Sequence, residues 1–148
     1  MSSKLRRLAD FTVVEYALLL QLTVLSFGLR VLLTSLTLPR LMSLLSDTAS
    51  SPRFRQIPLF HSRCDVDRLV TLVDLATTLS HKGSRCFPRA LLLFWLLRAR
   101  RESVALCLGA SKNMAALEGH AWVERSGIVF GDTPSFTSCY SLLLRFSA

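Results

Sequence analysis

Three side chains have the types and spacing for nucleophilic acyl chemistry: Cys86, His120 and Asp132. An ordinary thiol, with a pKa of about 8.5, is only a few per cent thiolate at neutral pH, so a nucleophilic cysteine needs surroundings that favour its anion. Cys86 opens an apolar run two residues before Pro88, and proline is tolerated in the first turn of a helix, where its missing N–H would go unpaired anyway. The sulfur therefore sits beside orphan backbone N–H groups and the positive end of the helix dipole, both of which stabilise a thiolate. His120, in Gly119-His120-Ala121-Trp122 at the start of a predicted strand, supplies a base. Gly119 allows close backbone approach, and Trp122 shares the face of His120 two residues on and shields the imidazole from water; these two are the candidate substrate-binding residues. Asp132 closes the next predicted strand and is the candidate to orient the ring.

Whether Asp132 faces His120 depends on the hairpin between them. A two-residue turn at Ser126-Gly127 pairs Ala121 with Asp132 and puts the acid on the wrong face. A three-residue loop, Arg125-Ser126-Gly127, pairs His120 with Asp132, and Gly127 supplies the left-handed residue such a loop needs. The sequence thus predicts the three-residue loop. Taken singly, a cysteine is more often a buried inert thiol, and Cys64, Cys107 and Cys139 are read that way. No CxxC pair or dense framework occurs among the four cysteines, which points to reduced thiols and a cytoplasmic setting. His61 lies three residues before Cys64 with no second such pair, so no metal is expected.

The elements that must position these groups follow from periodicity. Val66, Leu69, Val70, Val73, Ala76 and Leu79 recur at helical steps, with Asp65 and Asp67 at the start and Gly83 beyond the end. A second helix is predicted from Cys86 to Arg100, apolar on nearly every side from Leu91 to Leu97 and hence buried, with Arg98, Arg100 and Arg101 at the negative end of its dipole. Val104–Gly109, Ala121–Glu124 and Ile128–Phe130 read as three antiparallel strands; Cys139–Phe146 is too short an apolar run to type. Upstream, residues 4–45 read as helix broken near Pro39, and Ser46 to Arg63, with Pro52 and Pro58, as a linker or ordered loop. The expected organisation is a helical arm over 1–45, a linker over 46–63 and a main domain over 64–148. The fold class is α+β: helices packed on a small antiparallel sheet with an apolar N-terminal arm.

The chain has 148 residues, 51% of them hydrophobic and 19% charged, and a net charge of +8. That length fits one domain with a sizeable core, and the composition excludes a disordered tail. The positive charge attracts acidic peptides or anionic lipid. No aromatic residues are interleaved through a basic groove, so no nucleic-acid partner is expected. Tyr16 to Leu29 runs uncharged for 14 residues and includes Gln21, Thr23 and Ser26, short of the roughly 18 to 20 a spanning helix requires. Asp10 and Glu15 interrupt the pattern of a signal peptide. The arm is thus expected to pack on the domain or to rest at a membrane surface.

Cysteine at a helix start followed by histidine and aspartate on neighbouring strands is the papain-like and transglutaminase-like order. Cys86-Phe87-Pro88-Arg89-Ala90-Leu91, then Trp95-Leu96-Leu97-Arg98-Ala99-Arg100-Arg101, then His120-Ala121-Trp122-Val123-Glu124 resemble the transglutaminase-like leader peptidases of lasso-peptide biosynthesis, over roughly residues 60 to 146. The resemblance is to the split form, whose leader recognition resides in a separate small protein. It implies a bacterial cysteine protease that cleaves a ribosomally made precursor between leader and core, acting with a leader-binding protein and upstream of an ATP-dependent, asparagine-synthetase-like cyclase. It implies Cys86 as nucleophile, His120 as base and then acid, Asp132 as orienting group, and no metal or organic cofactor. Two rivals use the same residues differently. An acyl transferase of transglutaminase type would pass the acyl group to an amine, and a membrane-adjacent adaptor would use Cys86 and His120 only structurally.

Overall fold

In the computed structural model, which describes residues 12–55, 64–113 and 116–147, the helices come first and the sheet last. Residues 4–11 and His61, on which expectations were placed, lie outside the described residues. A capping box at Thr12 starts α1 (Val13–Ser35): the Thr12 hydroxyl accepts from the Glu15 amide and the Glu15 carboxylate accepts from the Thr12 amide, satisfying two orphan donors together. The helix stops at Leu36, and α2 (Leu38–Ser50) begins after Thr37 with Pro39 in its first turn, the break expected near this proline.

The polar stretch expected as linker from Ser46 is corrected at its start, because α2 runs on to Ser50. Ala49 is buried, and the Thr48 hydroxyl both donates to the Leu44 carbonyl and accepts from the Trp95 indole at 3.0 Å. Tertiary packing therefore overrides the weak helix propensity of Ser and Thr. A short α3 (Pro52–Arg55) follows; residues 56–63 are outside the described set.

The amphipathic pattern after Asp65 forms α4 (Val66–Ser80), and the apolar run forms α5 (Cys86–Ala99). Ten of the fourteen residues of α5 are buried, and its large side chains Leu91, Leu92, Phe94, Leu96 and Leu97 are almost wholly excluded from water. At roughly 1.5–3 kcal/mol for each such side chain removed from water, this helix is the largest contributor to the core. The arm packs on the domain. Leu18, Leu19, Leu22 and Leu29 of α1 join one core cluster with Leu69, Leu72 and Val73 of α4 and with α5. Polar contacts fasten α1 to α4: Glu15 to Arg68 at 2.5 Å, Ser26 Oγ to Ser80 Oγ at 2.6 Å, and Arg30 Nη1 donating to the Ser80 carbonyl at 3.1 Å. By length and composition α1 could also cross a membrane; here its inner face is committed to the domain.

The other side of α5 is covered by an antiparallel sheet of β1 (Ala105–Asn113), β2 (Ala116–Arg125), β3 (Ile128–Phe130) and β4 (Ser141–Ser147), in the order β3-β2-β1-β4. The segment that periodicity could not type supplies β4, reached through a helical turn, α6 (Pro134–Thr137). Alternation sorts the residues by face. Leu106, Ala121 and Val123 join the main core, whereas Ala105, Cys107 and Trp122 form a second, smaller cluster. β2 begins at Ala116, so His120 lies within the strand rather than at its start; the four residues before it are exposed and leave no alternation to read.

The β2–β3 hairpin corrects a second expectation. Val123 pairs with Phe130, Glu124 with Val129 and Arg125 with Ile128, so the turn is the two-residue Ser126-Gly127 and not the three-residue loop. Both turn residues are left-handed, Ser126 at φ 50 and Gly127 at φ 83. This is the type I′ geometry that matches strand twist.

Close packing at Gly109 gives one prediction. A Cβ there would meet the Trp122 ring at 2.9 Å and the Ser141 carbonyl oxygen at 3.0 Å. Gly109→Ala is expected to destabilise the fold by about 1–3 kcal/mol, read as a lower urea midpoint; an unchanged midpoint would contradict this packing. A second concerns acid. The hydrogen bond from Arg68, then those from Thr12, hold the Glu15 carboxyl at about 2, against an ordinary value of 4.5. A depressed folded pKa means that its stabilisation is complete above pH 4.5 and disappears as pH falls towards 2. Glu15→Gln should therefore be less stable than the native chain at pH 6 and equal to it near pH 2 by thermal melting.

Candidate active site

Cys86 is the first residue of α5, and no side chain caps that helix, the N-cap residue being Arg85. The first-turn amides of Cys86 and Phe87 are orphans by the geometry of any helix start, and Pro88 has none to offer. The sulfur is half-buried, and its hydrogen-bond partner is the Ser84 hydroxyl at 3.4 Å. The other three cysteines are also free, and they sit differently. Burial pushes the Cys107 thiol up to about 11 and raises that of Cys64, which makes both poor nucleophiles. Cys139 is exposed, with its thiol on the Ser135 carbonyl at 3.5 Å.

His120 and Asp132 are brought together, with Nε2 of the ring 3.1 Å from Oδ2 of the carboxylate and both side chains largely buried. The ladder alone would not do this, because its register leaves Asp132 one residue short of His120, at the level of Ala121 and on the opposite face. Instead β3 ends at Phe130, and Gly131 at φ 80 turns the chain in a conformation that favours glycine. The carboxylate is thereby re-aimed at the ring. The imidazole sits in an aromatic enclosure. Trp122 stacks beside it with centroids 6.1 Å apart, Phe136 meets it edge-on at 5.0 Å, and Tyr140 lies at 5.0 Å.

An open cleft of about 490 Å³ joins these parts. It is lined by Asp74 of α4, by Ser84, Cys86 and Arg89 around the start of α5, and by Glu118, Gly119 and His120 of β2. Gly119 is on the wall of the cleft, and a Cβ there would meet nothing within 4 Å; Trp122 lies behind His120, in the small cluster with Ala105 and Cys107. Cys86 and His120 share this one space.

Three residues of the site escaped the sequence reading. Arg89, one turn after Cys86, donates from Nη2 to Asp132 Oδ2 at 2.6 Å and from Nη1 to the Gly131 carbonyl at 3.0 Å. Its signal was the i,i+3 spacing from the cysteine, which places both on one helix face. Phe136 and Tyr140 carried no signal, since only the α6 turn brings them to the ring. Burial raises the Tyr140 phenol, and negative charge on Glu118 and on an ionised Cys86 adds to the effect, placing that hydroxyl within the field of the site.

No curated protein and no solved structure matches the chain. Residues 25–145, from the middle of α1 into β4, match the family described as the Transglutaminase-like superfamily, and on that match over most of its length the chain belongs to the transglutaminase-like superfamily.

Proposed function

We propose that the protein is a cysteine peptidase that removes the leader from a ribosomally synthesised lasso-peptide precursor. The observation that carries the reading is a histidine hydrogen-bonded to a carboxylate in the same cleft as a cysteine at a helix N-terminus. The sequence motifs around Cys86 and His120 supply the substrate class.

The chemistry follows from the tautomer. With Nε2–H donating to Asp132, Nδ1 carries the free lone pair and is the basic atom. Nδ1 takes the proton of the Cys86 thiol, and the thiolate adds to the scissile carbonyl. The oxyanion of the tetrahedral intermediate is held by the Cys86 N–H and a second donor. Collapse breaks the C–N bond, Nδ1–H returns its proton to the departing amine of the core, and a thioester remains on Cys86. Water, losing a proton to Nδ1, adds to the thioester and releases the leader as a carboxylate. The freed amine suits the ATP-dependent cyclase proposed to act next, and the split form of the enzyme calls for a separate leader-binding protein. We place this work in the cytoplasm, where thiols stay reduced.

The outer face of α1 belongs to the same reading. Leu20, Val24, Phe27 and Val31 are exposed along it, and we assign that stripe, on a chain of net charge +8, to contact with an anionic membrane surface. The protein should sediment with phosphatidylglycerol vesicles, and Leu20→Glu should reduce the bound fraction severalfold. Equal binding by the variant would remove α1 from the contact.

The activity is tested by intact mass, with the protein, a candidate precursor and its leader-binding partner. Separate leader and core masses should appear, vanish with Cys86→Ala, and form about 100-fold or more slowly with Asp132→Ala. A leader mass raised by an added amine would instead identify acyl transfer. Full activity in Cys86→Ala would sink the nucleophile assignment and leave the adaptor reading.

A further inference from the structure

We propose that Arg89 is the positioning residue that holds Asp132 on His120 and fixes the acid to the same helix that carries the nucleophile. The inference rests on the reading of Cys86, His120 and Asp132 as a catalytic set.

The need for such a residue comes from the hairpin. Val123 pairs with Phe130 and Arg125 with Ile128, so two further steps along the ladder would bring Asp132 opposite Ala121 and onto the wrong face. The departure occurs at Gly131, at φ 80. Glycine permits that conformation but restrains it least of all residues, so the turn by itself does not fix the carboxylate. Arg89 does so from outside the hairpin. Its Nη1 donates to the Gly131 carbonyl at 3.0 Å, and its Nη2 donates to Asp132 Oδ2 at 2.6 Å. One rigid planar fork therefore grips both the backbone of the turn and the side chain that follows it, a two-point contact that lysine's single ammonium cannot reproduce.

The grip has a fixed origin. Arg89 is three residues after Cys86 on α5, and its guanidinium is also 3.9 Å from Asp74 Oδ1 of α4. Its side chain is only 18% exposed. The Asp132 oxygen that Arg89 holds is the one that meets His120 Nε2 at 3.1 Å. Losing the fork would free the turn, and the ring would lose the partner that sets its tautomer and orientation.

The test needs no peptide substrate, so its outcome is independent of whether cleavage is ever seen. Proton spectra of the full-length protein, labelled with ¹⁵N-histidine, should show a slowly exchanging, downfield ring N–H assigned to His120. That signal should be absent from Asp132→Ala, absent from Arg89→Met and weak in Arg89→Lys. In parallel, alkylation of Cys86 by iodoacetamide at pH 6.5, read by peptide mass, should slow about tenfold in Arg89→Met. If Arg89→Met fails to fold, as judged by thermal melting, Arg89→Gln keeps a planar donor head with one contact and should lose the N–H signal likewise. A signal that persists in both Met and Gln variants, full rescue by lysine, or its absence from the native protein would each overturn the proposal.

Discussion

Burial of α5 is the constraint on which the architecture rests. A helix apolar on every face cannot stand at a surface, and ten of the fourteen residues of Cys86–Ala99 are buried. One layer cannot cover it, so α1, α2 and α4 close over one side and the sheet over the other. Only the ends of α5 reach solvent. One end is the uncapped start that carries Cys86, and the other carries Arg98 with the Arg100 cap. Placing Cys86, the proposed nucleophile, at the end of the most deeply held helix gives its thiol access to the cleft while its backbone is fixed by the core, which is what a preorganised site requires.

This division also explains what the sequence made legible. α4, α5 and the three core strands follow from periodicity, because each has one face or all faces committed to burial and composition records that commitment. Cys86 and His120 were legible for a related reason: Pro88 marks the helix start, and Gly119 and Trp122 flank the histidine. The elements that hide are those whose residues face water or whose role arises only in three dimensions. The end of α2 reads as a polar loop because Thr48 is used for its hydroxyl, towards the Trp95 indole, and not for its helix propensity. The first four residues of β2 are exposed and carry no alternation.

The hairpin is the most instructive difference. In the two-residue register, an acid two residues beyond a regular ladder points away from the histidine. A three-residue loop is needed only if the ladder continues, and it does not. Glycines do two different jobs here. Gly127 completes the tight turn, and Gly131 ends the strand and reverses the consequence of that turn. A rule that treats side-chain direction as strictly alternating holds only while hydrogen-bonded pairs persist, and these stop at Phe130. Arg89, whose signal in one dimension is only its i,i+3 spacing from Cys86, is what the three-dimensional route adds.

The character of the cleft bears on what the thioester would meet. An acyl transferase has to keep water away from its acyl-enzyme until an amine arrives, which asks for an enclosed, apolar approach. Here the space around Cys86 is open and bordered by Asp74, Ser84, Arg85 and Glu118, a setting that water enters freely. The aromatic side chains that exclude water lie instead around the imidazole, where Trp122, Phe136 and Tyr140 enclose the ring. Dryness is thus arranged where it strengthens the His120–Asp132 hydrogen bond and not where it would protect an acyl intermediate, an asymmetry that supports the hydrolysis proposed for this cleft.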